Sequence, residues 1–139
     1  MYGIIHKKSG RTGEDKTLTK QEQALGLHAQ GCNCAQCVLM TMTDHTGLTQ
    51  EASAAITAGF GGGAGCRELC GALSGAFMAV GAALGAENRG QIMKIDREIT
   101  NAFREKFGAV RCEDLKAKGV PCDDLIAFAA EKTEAALGA

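Results

Sequence analysis

Apolar residues recur along the chain at the three- and four-residue steps of a helix rather than the alternating steps of a strand. The clearest case is Arg89 to Phe107. There Ile92, Ile95, Ile99, Ala102, Phe103 and Phe107 form one stripe, charged residues fill the opposite face, and Gly108 supplies a stop. Upstream, Leu18, Leu25 and Ala29 predict a helix from Thr17 that Gly31 caps at its C-terminus. A second helix is predicted from about Asn33 to Thr46, with Cys34, Val38 and Thr41 on one face, Cys37 beside them and Gly47 as its stop. Thr49 reads as the N-cap of a third, within LTQEASAAITAGF, before FGGGAG (Phe60 to Gly65) breaks the pattern. A long helix is predicted from Cys66 to Leu84, its Gly71, Gly75, Gly81 and Gly85 letting another backbone come close. A short helix over Cys112 to Lys118 and a last one over Cys122 to Leu137, introduced by Pro121, complete the set. No segment reads as a strand, and there is no repeat. The pattern predicts an all-α, single-domain bundle of about six or seven helices over residues 17–139, preceded by a loose polar arm over residues 1–16.

Composition narrows the function classes. A chain of 139 residues buries enough surface to fold without disulfides. Its 15 basic and 16 acidic residues leave no cationic excess for binding nucleic acid. With 4% aromatic residues and no tryptophan, it also lacks a stacking platform for single strands. The uncharged run from Cys70 to Ala86, 17 residues, is short for a membrane span. It reads as a buried central helix or a homodimer seam, and no membrane insertion is expected. The start, MYGIIHKKSGRTGEDK, has no apolar signal core, so the expected compartment is the reducing cytoplasm. Seven cysteines in that compartment read as metal ligands or redox thiols rather than structural disulfides.

The cysteines have a positional regularity. The segment GCNCAQC carries Cys32, Cys34 and Cys37, with Cys34 in the first turn of a predicted helix. Cys66 follows the glycine run at a predicted helix start, and Cys70 lies one turn further along the same face. Cys112 precedes EDL, and Cys122 follows Pro121 and precedes DDL, so both read as helix N-termini. Such an end carries partial positive charge and free amide donors, which favour a thiolate or the sulfurs of an anionic cluster. A free cysteine is often only a small buried hydrophobe, but that does not explain the clustering at helix starts.

No single motif decides the chemistry. Val38 stands where haem attachment needs histidine after Cys34-Ala-Gln-Cys37, and no strand precedes this pair as in a thioredoxin-like unit. Paired zinc knuckles are absent, since Cys66 and Cys70 are four apart and Cys112 and Cys122 ten apart. Two alternatives to a cluster stay open. One is a protein binding zinc or another soft metal through thiolates; the other is a metal-free dithiol oxidoreductase using Cys34 with Cys37 or Cys66 with Cys70. The glycine run is not a nucleotide fingerprint. Gly61, Gly62, Gly63 and Gly65, with Gly71 beyond them, read as backbone that approaches a ligand closely and turns amides toward it. His6, His28 and His45 form no local cluster, Glu68 reads as a solvated or capping carboxylate, and no nucleophile–base pair stands out.

Taken together, NCAQCVL (Asn33 to Leu39), GFGGGAG (Gly59 to Gly65), CGALSG (Cys70 to Gly75), FREKFGAVRCEDL (Phe103 to Leu115) and the pair Pro121-Cys122 resemble the redox-active proteins named for their C_GCAxxG_C_C pattern. Order and spacing match from about Leu25 to Ala136. The family is also similar to the iron–sulfur part of split-Soret cytochromes. Carried over by position, the four pattern cysteines correspond to Cys34, Cys70, Cys112 and Cys122. The resemblance implies a small helical protein with a cysteine-bound redox centre, found near oxidoreductase or transport functions, and it names no reaction; together with the cysteine placement it leads us to expect electron transfer to a partner protein. The resemblance favours a 2Fe–2S cluster over a 4Fe–4S or larger one. The chain departs from the simplest pattern at Cys32, Cys37 and Cys66, which become candidates for additional ligands or a neighbouring dithiol.

Overall fold

Polar caps start the first helices. In the computed structural model, which describes residues 18–138, helix α1 (Lys20–Ala29) begins at Thr19. The Thr19 hydroxyl accepts from the Glu22 amide, and the Glu22 carboxylate accepts from the Thr19 amide. The end of α1 follows the sequence expectation: beyond it, the amides of Gly31 and Cys32 donate back to the carbonyls of His28 and Leu27. Then come α2 (Cys34–Met40), α3 (Thr43–Thr46), α4 (Gln50–Thr57), α5 (Gly71–Leu84), α6 (Arg89–Phe107), α7 (Cys112–Ala117) and α8 (Cys122–Leu137). The described residues thus form an all-α bundle of eight helices, six of them seven residues or longer, with no strand. No helix among them is long and apolar enough to cross a membrane. The polar arm expected over residues 1–16 lies outside the described residues.

Three boundaries differ from expectation. The first helix, predicted from Thr17 with Leu18 in its stripe, begins only at Lys20, where Thr19 caps it. The helix predicted over Asn33 to Thr46 is broken after Met40, because its carbonyls are claimed by side chains. Gln50 Nε2 donates to the Met40 carbonyl at 2.7 Å, Lys20 Nζ donates to that of Thr41 at 2.8 Å, and the Thr41 hydroxyl donates to that of Val38 at 2.8 Å. The long helix predicted from Cys66 begins only at Gly71. Residues 68–70 pair instead with residues 110–112 through an isolated antiparallel bridge between Leu69 and Arg111. Cys66 therefore lies on an irregular turn, Gly63–Arg67, in which Ala64 (φ 61°) and Arg67 (φ 63°) hold the left-handed backbone that residues with a β-carbon rarely adopt.

Helix α5 is the hub. Its apolar and small residues Ala72, Leu73, Ala76, Ala79 and Val80 are buried, and it packs against α2, α6 and α8. Gly75 permits the closest of these approaches: a β-carbon there would lie 2.5 Å from the Ala35 carbonyl oxygen of α2. The apolar stripe of α6 meets α8, with Phe103, Phe107 and Phe128 packed edge to face at centroid distances of 4.9–6.2 Å. Gly81 does not serve the close approach expected of it, because nothing lies within 4 Å of its notional β-carbon.

Candidate functional site

Three devices bring four cysteines to one place: a helix cap, a backbone bridge and a turn between helices. Asn33 caps α2 through a reciprocal pair: its Oδ1 accepts from the Gln36 amide at 2.8 Å, and its own amide donates to Gln36 Oε1 at 2.9 Å. Asn33 Nδ2 also donates to the Ala58 carbonyl at 3.1 Å, which ties this helix start to the end of α4 and fixes Cys34 as the first residue of α2. The Leu69–Arg111 bridge does the same for the next two. The Cys70 amide donates to the Val110 carbonyl at 2.9 Å and the Cys112 amide to that of Glu68 at 2.6 Å. An Arg111–Glu68 ion pair at 3.1 Å closes over this bridge. Cys70 becomes the N-cap of α5 and Cys112 the first residue of α7. The α7–α8 turn then folds back, its Val120 amide donating to the Leu115 carbonyl at 3.1 Å, and Pro121 caps α8 so that Cys122 is its first residue.

These four residues line one cavity of about 60 Å³ with Gly62, Gly71, Leu115, Lys116, Val120 and Leu125. The walls are apolar apart from the thiols and Lys116. Gly71 belongs here for a steric reason, since a β-carbon on it would sit 2.8 Å from Cys34 Sγ and 2.6 Å from the Phe60 carbonyl oxygen. Gly61, Gly63 and Gly65 do not line the cavity. Gly61 packs against the Asn33 side chain and Gly63 against Cys112 and the Glu68 backbone, while Gly65 faces open space.

The electrostatics differ from the sequence expectation. Helix starts were expected to hold low-pKa thiols. Burial instead pushes the Cys70 thiol up to about 12, against the amides of Ala72 and Leu73, which favour its thiolate; neighbouring Cys34 and Cys112 add to the rise. Burial also raises Cys112, with Lys116 and Arg67 pulling it down and Cys34 and Cys122 pushing it up. Desolvation outweighs the helix ends because the thiols are set among largely apolar walls. The protein alone thus keeps neutral thiols at Cys70 and Cys112, and an incoming metal ion would displace their protons.

The three further cysteines are placed elsewhere. Cys32 and Cys37 are buried in one apolar cluster with Ala24, Leu27, Ile126 and Ala130, and Cys37 Sγ lies 3.7 Å from the Cys32 carbonyl oxygen. They flank the α2 cap as the preceding residue and the fourth helical residue, the positions of a hydrophobic staple. Burial raises both thiols, which favours an inert packing role. Cys66 is exposed on its turn and does not line the cavity. His28 pairs with Asp123 at 2.6 Å, and His45 lies beside Asp44, so neither enters the site; His6 lies outside the described residues. Glu68 is engaged by Arg111. Lys116 escaped the sequence reading, although its position four residues after Cys112 on a predicted helix is the signal that finds it.

Among the described residues, no three His, Cys, Asp or Glu side chains converge tightly enough to hold one metal ion. The four thiols surround a cavity instead. Four thiolates are a donor set that an iron–sulfur cluster takes and that zinc takes as well. The walls, apolar but for Lys116, and the glycine fitted against Cys34 agree with this donor set. No curated protein and no solved structure matches the chain. A family model does, over residues 32–136, a span that holds all seven cysteines and every wall of the cavity. The chain belongs to the family described as "Putative redox-active protein (C_GCAxxG_C_C)".

Proposed function

We propose that this redox-active family member holds an iron–sulfur cluster on Cys34, Cys70, Cys112 and Cys122 and exchanges electrons with a partner protein. The observation that carries the reading is the convergence of these four thiols, each at a helix start and from a separate segment, on one apolar cavity. When bound, the cluster supplies a reversible one-electron couple. The chain's own residues do the rest. Leu115, Val120 and Leu125 keep water from the sulfurs, the amides of Ala72 and Leu73 hold Cys70 as a thiolate donor, and Gly71 gives room at Cys34. The family resemblance favours the 2Fe–2S form. We assign the protein to the reducing cytoplasm, where free thiols and thiolate-bound clusters persist.

The test is anaerobic purification with iron supplied, followed by iron and acid-labile sulfide assays and a visible spectrum. Iron and sulfide in matched amounts with a charge-transfer band support the reading. Colourless protein without either refutes it, and stoichiometric zinc in their place establishes the thiolate-zinc alternative. A reversible change in free-thiol count without metal establishes the dithiol one.

A further inference from the structure

We infer that Lys116, aided by Arg67, is a positioning residue for charge at this site: it offsets the negative charge of the bound centre and raises its reduction potential. The inference rests on the cluster reading above and concerns residues that reading does not use.

Lys116 is the one charged side chain in the cavity wall. It lies on α7 one turn from Cys112, and Arg67 ends the turn whose next residue, Glu68, accepts the Cys112 amide at 2.6 Å. The surrounding charges make these two cations distinct. Glu68, Glu113 and Asp114 all pair with Arg111, at 3.1, 3.2 and 3.8 Å. Asp123, beside Cys122, pairs with His28. Asp124 faces a separate groove with Lys106 and Phe107. Every carboxylate flanking the cysteines is therefore engaged or turned away, while neither Lys116 nor Arg67 has a carboxylate partner among the described residues. Four thiolates around iron and sulfide carry net negative charge, and each added electron increases it. A fixed cation at the wall favours the reduced state over the oxidised one, more strongly because the remaining walls are apolar. Lys116 and Arg67 are both exposed, so ions in solution also reach them and screen the effect.

The experiment is a spectroelectrochemical titration of the anaerobically purified full chain, with K116Q, K116R, R67Q and the control K118Q. K116Q and R67Q are expected to shift the midpoint to lower potential, and K116R to restore it. K118Q, on the same helix end but outside the cavity wall, leaves it in place. The gap between the wild-type protein and K116Q narrows as salt is raised, which a packing role for Lys116 would not produce. Iron-loaded K116Q and R67Q at the wild-type potential overturn this inference and leave the cluster reading standing, as does a shift in K118Q as large as that in K116Q. Protein with neither iron nor sulfide overturns both.

Discussion

Gly75 and Gly81 lie on one helix, six residues apart, and the same substitution is expected to act on them with opposite sign. In G75A the new methyl would stand 2.5 Å from the Ala35 carbonyl oxygen and 3.2 Å from two further Ala35 backbone atoms. Nothing there can rotate away, so α2 and α5 must separate. Overpacking a well-filled seam costs about 1–3 kcal/mol, and a backbone neighbour puts this case at the upper end. Better helix propensity returns up to about 1 kcal/mol, leaving a net loss of about 2 kcal/mol. In G81A nothing lies within 4 Å of the new methyl, so only the propensity gain of about 0.5–1 kcal/mol remains. At about 3–4 °C per kcal/mol for a chain of this length, thermal melts followed by circular dichroism should show G75A about 6–8 °C below wild type and G81A about 2–4 °C above it. Because Cys34 begins α2 and Cys70 caps α5, G75A is also expected to bind less iron than G81A. A G75A melt at or above the wild-type temperature would refute the claim that direct backbone contact sets the α2–α5 distance.

Other outcomes follow from the placement of the thiols and of one carboxylate. Serine at Cys34, Cys70, Cys112 or Cys122 is expected to lower the iron recovered after anaerobic purification, whereas C66S keeps it; equal loss in C66S would make the exposed turn part of the site. In native protein, an alkylating reagent read by mass spectrometry should modify Cys66 first and leave Cys32 and Cys37 untouched until the protein unfolds, since both are buried with raised pKa. Rapid modification of Cys37 would overturn its assignment as a staple. Asp96 has one buried oxygen without a partner, and burial raises its carboxyl from 3.8 to about 6. Because the folded pKa is the higher one, its contribution to stability is intact below about 3.8 and is lost as pH rises through about 6. D96N should therefore raise the melting temperature above that range and leave it unchanged in acid, and an equal gain at every pH would rule this linkage out.

The helical architecture was legible because it rests on local signals. Thr19, Asn33 and Thr49 cap helices, Gly31, Gly47 and Gly108 end them, and the Ile92–Phe107 stripe names its own buried face. The two larger misreadings of helix boundaries have non-local causes. The break after Met40 depends on Lys20 and Gln50, which come from α1 and α4. The delayed start of α5 depends on residues 110–112, more than 40 positions away. No window of sequence contains either pairing. Predicted helix starts pointed to Cys34, Cys112 and Cys122, but to Cys66 rather than Cys70, and it was the family resemblance that named Cys70. The thiol chemistry of the site could not be read in either way, because desolvation at Cys70 is set by Leu115, Val120 and Leu125 arriving from elsewhere.

The segment Gly31 to Cys37 shows how one stretch satisfies two demands without conflict. A ligand at the first residue of a helix is useful only if the direction of that helix is fixed, and a seven-residue helix cannot fix its own direction. Gly31 turns the chain at the end of α1, and Asn33 with Gln36 satisfies the free amides of α2. Cys32 and Cys37 close an apolar staple around that cap, and Gln36 Nε2 anchors the helix to the Ala54 carbonyl of α4 at 3.0 Å. Only Cys34, between the two staple residues, lines the cavity. Replacing both staple cysteines with valine keeps the apolar contact and removes the thiols. Such a protein should retain its fold and its iron, whereas serine at the same two positions would bury hydroxyls in an apolar cluster and loosen the entry angle of α2. If the valine variant kept its fold but lost iron as the serine variant did, Cys32 and Cys37 would be acting through sulfur chemistry rather than packing.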